Sequence, residues 1–245
     1  MSFSTFIAPA DNNGVGIAFT DREYPSEFLP NDSFDLSCES EEEFAHNIAA
    51  LRSFVDCDQL AFCEQVHGTN VEQVDLSGID DEHGCHHTGE ADAMVATTPG
   101  VALVIRVADC IPVLLADTQA QVIGAVHAGR VGLLAGVLQQ GIAEMTANGA
   151  KNIHAWVGPH ICAGCYEVPR EMAEDAWAVL RASKAQSWQG TPAIDLGAGA
   201  ESILTSHGVT VTRLDPCTRC NPQFFSHRRD QGHPGRQAGI IWLKT

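Results

Sequence analysis

The feature that most constrains the fold of this 245-residue chain is a block at its centre, between residues 93 and 126. Four short apolar runs, Ala93–Ala96, Ala102–Val107, Ile111–Ala116 and Val122–Val126, follow one another there, broken by Gly, Pro or Asp. They read as adjacent buried strands. Around them, Val15–Phe19 predicts a further strand, and residues 20–40, rich in Pro, Asp, Ser and Glu, predict a loop. Ser40 followed by Glu43 forms a capping-box pattern. It opens a helix to about Val55, with Phe44, Ile48, Leu51 and Val55 on one face. Strand-type runs follow at 60–66 and 71–74. A helix is expected from about Gly132 to Asn148, ended by Asn-Gly, then a strand at 153–157, helices at 170–183 and 197–207, and strands at 209–214 and 238–243. Strands and helices mix without strict alternation. The expected fold is therefore α/β, a sandwich of mixed β-sheets and helix layers. No linker is long or polar enough to divide it, so one domain over residues 1–245 is expected.

Charge narrows the partners. Thirty-one Asp and Glu against 14 Lys and Arg leave a net charge of −17. A field of that sign repels phosphate backbones and anionic lipid, which argues against nucleic-acid and membrane-surface partners. No apolar run approaches the roughly 20 residues of a membrane span. The first residues lack the basic start and long apolar stretch of a secretory signal. A cytoplasmic location is the resulting expectation. Nine cysteines, an odd number spread through the chain, suit reduced thiols better than a disulfide framework.

Four features could carry chemistry. The densest is "DDEHGCHHTGEADAM", which packs His83, Cys85, His86 and His87 together. Its Gly and acids predict a mobile flap near a pocket mouth, able to take an adventitious metal but too flexible for a fixed one. The second is Cys162 and Cys165 with Cys217 and Cys220, two CxxC pairs like the ligands of a structural zinc. The gap between them far exceeds the usual spacing of about 15–20 residues, so loop or half-buried thiols are the favoured expectation. The third is scattered: His67, Cys110 and His127 each stand at the end of an apolar strand, beside a Gly, Asp or Pro. Strand ends are rigid and can converge, and two His with one Cys is an accepted ligand set for a catalytic zinc with an open position. The fourth is Arg228-Arg229, paired cations able to grip phosphate or carboxylate by forked hydrogen bonds, or to form a surface salt bridge.

The motifs "QVHGTNV", "GEADAMV", "ADCIPVLLAD", "GAVHAGRVGLLAGV", "VGPHICAGCYEV" and "CTRCNPQFFSHRRDQGHPGRQAGIIWL" run in order from about residue 60 to the end. Together they resemble the YfiH-type laccase-domain family. That family is also called multicopper polyphenol oxidase-like, purine nucleoside phosphorylase-like, or peptidoglycan editing factor. The resemblance implies a single α/β sandwich of the type shared with a bacterial toxin deamidase. It implies metal ligands at His67, Cys110 and His127, with zinc the usual metal and copper claimed for some members. It also implies phosphorolysis of adenosine, inosine and methylthioadenosine, adenosine deamination and, for some members, correction of misbuilt cell-wall peptides. One motif departs: relatives read His-Ala-Gly-Trp-Arg-Gly, whereas this chain has His127-Ala128-Gly129-Arg130-Val131-Gly132. The shifted Arg puts substrate preference in doubt, not the ligand.

Each activity makes its own demand. Deamination needs an activated water and a proton shuttle, for which Asp92 and Asp109 are candidates that could equally hold a ligand His in place. Phosphorolysis needs cations for phosphate, and Arg130, Arg228 and Arg229 are the candidates. A multicopper oxidase needs many His ligands, and the His-x-His pairs of a trinuclear cluster are absent, so oxidase chemistry would be a single-copper side reaction. A precursor-editing hydrolase would use Cys110 as nucleophile with His127 as its base. A non-enzymatic partner role leaves the ligand trio without a purpose. The expected partners are thus small: a nucleoside and phosphate. The oligomeric state is open.

Overall fold

The computed structural model describes residues 3–23, 34–37, 41–55, 57–75, 85–231 and 235–245. In chain order the strands are β1 (Phe3–Ile7), β2 (Val15–Thr20), β3 (Gln59–Glu64), β4 (Val71–Gln73), β5 (Cys85–Glu90), β6 (Ala93–Ala96), β7 (Val101–Val107), β8 (Ile111–Asp117), β9 (Val122–Ala128), β10 (His154–Val157), β11 (Lys184–Gln186), β12 (Pro192–Ile194), β13 (Thr210–Arg213) and β14 (Gln237–Leu243). The helices are α1 (Glu41–Phe54), α2 (Arg130–Ala135), α3 (Val137–Ala147), α4 (Arg170–Val179) and α5 (Leu196–Ser206). Two six-stranded mixed sheets lie face to face. One runs β1-β2-β14-β7-β3-β5 and the other β13-β10-β8-β9-β6-β4, with β11 and β12 paired separately.

The alternation of side chains along each strand divides the core into three. Leu103 and Ile105 of β7, with Ile17, Phe19 and Ile241, meet Met94, Leu114, Ile123 and Trp156 between the sheets. The opposite face of the first sheet, Leu60, Phe62, Val104 and Ile240, packs on Ile48 and Leu51 of α1 and on Val55 just after it. The outer face of the second sheet, with Val95, Val113, Leu115 and Val126, is covered by α2, α3 and α5 through Leu133, Leu138, Ile142, Ala200 and Leu204. Helix, sheet, sheet and helices thus stack in four layers, the mixed α/β sandwich the pattern predicts. Gly16 makes room within the first sheet: it pairs opposite Trp242 of β14, and a Cβ there would fall 2.0 Å from the Trp242 ring.

Three expectations are corrected. The four central runs are not neighbours in one sheet. Run 101–107 pairs with β14 and β3 in the first sheet, while β6, β8 and β9 belong to the second. The expected helix 132–148 is two helices, broken at Gly136, whose φ of 102° lies in the left-handed region. Residues 85–90 are not a flap but edge strand β5, parallel to β3, with the His87 ring stacked on Phe62 at 5.5 Å. His83 and the Ser40 cap lie outside the described residues.

These differences position the site. β7, β3 and β5 run parallel, so their C-terminal ends lie at one edge of the first sheet. From there each chain crosses to the second sheet, into β8, β4 and β6 respectively. His67, Asp92 and the Asp109-Cys110 pair sit on these three crossings.

Candidate active site and metal centre

Each crossing has its own local cause. Leaving β3, the chain turns at His67, which takes φ 61°, and leaving β7 it turns at Asp109, with φ 84°. Neither residue adopts that region without tertiary support, and such strain gathers at functional sites. At His67 the support is the Asp92 carboxylate, which is fully buried. It accepts hydrogen bonds from the backbone amides of Val66 (3.2 Å), His67 (3.0 Å) and Gly68, and from His127 Nδ1 at 2.7 Å. Burial opposes its charge, but the His127 and backbone hydrogen bonds outweigh that and hold the carboxyl below its ordinary pKa.

The three candidate ligands meet on this frame. One donor atom each from His67, Cys110 and His127 lies within 4.8 Å of the others, and Cys110 Sγ stands 3.7 Å from His67 Nε2. The two imidazoles are edge to face at 4.8 Å. Gly129 permits this approach, since a Cβ there would lie 2.6 Å from His67 Cδ2 and 3.0 Å from Cys110 Sγ. Burial works against the Cys110 thiolate, but hydrogen bonds from His127 and His67 prevail and bring it down to about 6. Burial works against the His127 imidazolium too, yet Asp92 and then Cys110 raise it to about 9. The donor set suits a metal: a softened thiolate and two imidazoles, one with Nδ1 fixed by a carboxylate so that Nε2 is directed inward.

A pocket of about 690 Å³ opens above these residues. That volume suits a nucleoside-sized ligand. Its walls include Glu64, Arg106, Asp109, Arg130, Tyr166, His227, Arg228 and Arg236. In a chain of net charge −17, four arginines around one cavity make a local cationic field. Arg228 donates to Glu167 O at 2.8 Å and lies over the Tyr166 ring at 5.2 Å.

Two of the candidate side chains are already engaged. Asp109 is a brace: its carboxylate takes the Thr218 hydroxyl at 2.5 Å and the Arg228 amide at 2.7 Å. Arg229 is not in the pocket wall. Its guanidinium reaches Thr218 O (3.0 Å), Asn221 O (3.2 Å), Phe224 O and the Asp230 carboxylate, so it knits the C-terminal loop. Cys85, His86 and His87 also stay out of the wall. The sequence did not single out Glu64, Arg106, Tyr166, His227 or Arg236. Arg106 carried a signal, a lone cation inside the apolar run 101–107. Tyr166, His227 and Arg236 fall inside the quoted motifs, but nothing there picks out the single residue without the fold.

Cys162, Cys165, Cys217 and Cys220 are the loop thiols expected, half-buried at Cys162 and Cys217, but the fold also gathers them. Their four Sγ atoms lie within 4.8 Å of one another.

Residues 16–244 match the family described as multi-copper polyphenol oxidoreductase laccase. A Streptomyces coelicolor protein named purine nucleoside phosphorylase is 38% identical over 94% of this chain and 96% of its own length. A Corynebacterium glutamicum protein of the same name is 42% identical over 76% of this chain and 75% of its own. Among solved structures, a Neisseria meningitidis protein of the DUF152 family superposes with a TM-score of 0.82 at 31% identity, covering all of both chains.

Proposed function

The chain belongs to the multi-copper polyphenol oxidoreductase laccase family, and from that premise we propose that it is a metal-dependent purine nucleoside phosphorylase. Its substrates are adenosine, inosine and methylthioadenosine, and adenosine deamination is a second activity of the same pocket. The observation that carries this reading is the convergence of His67, Cys110 and His127 under a cavity rimmed by arginines. The names of the relatives support it.

His67, Cys110 and His127 would hold the ion, zinc by preference for this mixed nitrogen and thiolate set. Once bound, it supplies Lewis acidity at an open position. The remaining work falls to the chain. Arg130 and Arg228 hold phosphate beside the ribose and orient one oxygen toward C1′. That oxygen bonds to C1′ as the glycosidic bond breaks, and the electron pair leaves with the purine, which takes up a proton. His227, on the wall, is placed to give it. Tyr166 offers a flat apolar face to the base. In deamination water adds at C6 and the C6–N bond breaks, the amino group taking up a proton and leaving as ammonia, and Glu64 is the wall carboxylate placed to move that proton. Asp92 orients His127 and does not shuttle.

Purified protein incubated with each nucleoside, with and without phosphate, tests this by chromatography. Free base that depends on phosphate is expected. Metal-loaded protein giving neither free base nor inosine contradicts it.

A second reading rests on one observation, the series Cys110, His127, Asp92 in nucleophile, base and orienter positions. It describes a hydrolase of peptide-bearing cell-wall precursors. Chelation separates the two: activity lost to chelator and restored by zinc belongs to the phosphorylase, whereas chelator-resistant, alkylation-sensitive activity belongs to the hydrolase.

A further inference from the structure

Away from the pocket wall, Cys162, Cys165, Cys217 and Cys220 form a second cluster that the proposed reaction does not use. We propose that these four thiolates hold a structural zinc ion that fastens the two loops carrying Tyr166 and Arg228.

Each CxxC pair is folded as a tight knuckle. In the first, the amides of Cys165 and Tyr166 both bond back to Cys162 O at 3.0 Å, closing a single turn over Ala163–Cys165. In the second, Asn221 N bonds to Cys217 O at 3.0 Å. Such a turn brings the first and fourth side chains to the same side, which is how CxxC offers two sulfurs to one ion. The two knuckles are then held together by backbone. His160 and Cys217 form a parallel bridge, and Thr218 N donates to His160 O at 3.0 Å. The knuckles follow β10 and β13, which pair in parallel, so a sequence gap of two helices and a strand pair closes to a few ångströms.

The sulfur geometry suits one central ion. Zinc–sulfur bonds of about 2.3 Å in a tetrahedron place the sulfurs about 3.8 Å apart. Here all four lie within 4.8 Å of one another, and Cys165 and Cys220 are 3.2 Å apart. An iron–sulfide cluster needs more room between its thiolates. The Cys162 amide donates to Cys217 Sγ at 3.3 Å, the kind of N–H···S bond that stabilises a thiolate. A closed four-sulfur set leaves no open position, so the ion has a holding role and not a catalytic one.

What it holds is the far wall of the pocket. Tyr166 follows Cys165 directly. Thr218, inside the second knuckle, donates its hydroxyl to Asp109, which also receives the Arg228 amide. Arg229 clamps Thr218 O and Asn221 O from outside. The site therefore braces the turn that carries Cys110 without touching the substrate.

The test is metal analysis of the full chain by mass spectrometry, for the wild type, Cys110→Ala and Cys217→Ser. Cys217→Ser is expected to lose one zinc equivalent relative to wild type, whatever Cys110→Ala does. Loss in Cys110→Ala reports separately on the His67, Cys110 and His127 centre, so either site can fail alone. An unchanged zinc content in Cys217→Ser, or an intact mass showing two disulfides among the four, overturns the proposal. Should Cys217→Ser fail to fold, Cys110→Ala reconstituted with cobalt(II) decides: intense sulfur-to-cobalt charge-transfer bands with tetrahedral visible bands are expected, and their absence overturns it.

Discussion

At the scale of single residues, the account turns on which polar groups are already occupied. Asp92 carries the largest share, since one carboxylate fixes both the His67 turn and the His127 ring. Asp92→Asn keeps the volume but places an amide N–H₂ against donors, so metal affinity is expected to fall about 10–100-fold. A competitive titration with a chelating dye measures that, and an unchanged affinity would show that the ring needs no anchor. The two C-terminal arginines should separate cleanly. Arg228→Ala is expected to raise the KM for phosphate about tenfold or more with stability nearly intact. Arg229→Ala strips several loop carbonyls of their donor and should lower stability by about 1–3 kcal/mol while leaving that KM unchanged. Phosphate-dependent kinetics alongside denaturant melts check the pair. His67, Cys110 and His127 were legible in the sequence because each ends an apolar run beside a residue that stops it. The four cysteines were not. The spacing rule assumes a local module, whereas here the parallel pairing of β10 with β13 does the gathering.

At the scale of elements, the sequence marked where strands lie but not which sheet owns them. An apolar run says that both faces are covered and says nothing about its neighbours. Hence β7 was expected beside β8, yet it pairs with β14 and β3. That displacement makes the turn between β7 and β8 a crossing between sheets and puts Cys110 at the edge. The break at Gly136 was equally hidden, since apolar periodicity continues through it. Asp117 shows how a turn can hold two elements. Its carboxylate receives the amides of Gln119 and Ala120 from its own turn, and of Lys151 and Asn152 from the segment before β10. Burial opposes the charge, but the amides of Asn152, Lys151, Ala120 and Gln119 prevail and lower the pKa to about 2 from its ordinary 3.8. Because the folded value is the depressed one, this stabilisation is fully present above about pH 4 and lost as pH falls through 2. Asp117→Asn should therefore cost about 2 kcal/mol at pH 7, with the gap to wild type narrowing toward pH 2. Urea unfolding at pH 7 and pH 3 reads it, and a gap independent of pH would contradict the assignment. Strand β5 makes an opposite prediction. Replacing His86 and His87 by Ala should leave metal content and phosphate KM unchanged, since neither lines the pocket.

At the scale of the whole molecule, a strongly acidic chain gathers Arg106, Arg130, Arg228 and Arg236 around one cavity. On the proposed reading, that contrast is what favours a small anion such as phosphate at the site. No helix among the described residues is long and apolar enough to cross a membrane. Two metal-ligand groups stand out among the described residues, one of two His and a Cys and one of four Cys. Neither resembles the His-rich trinuclear cluster of a multicopper oxidase, despite the family's description. The four-layer sandwich explains why one edge collects the chemistry: three parallel strands leave one sheet there and enter the other. The most direct test of this account is the rate of ribose 1-phosphate formation from inosine, followed by phosphorus NMR over a range of phosphate concentrations. Zinc-loaded wild type is expected to form it with saturation in phosphate, and Cys110→Ala to fall by at least a hundredfold. Equal rates in the two proteins, or ribose released without its phosphate ester, would contradict it.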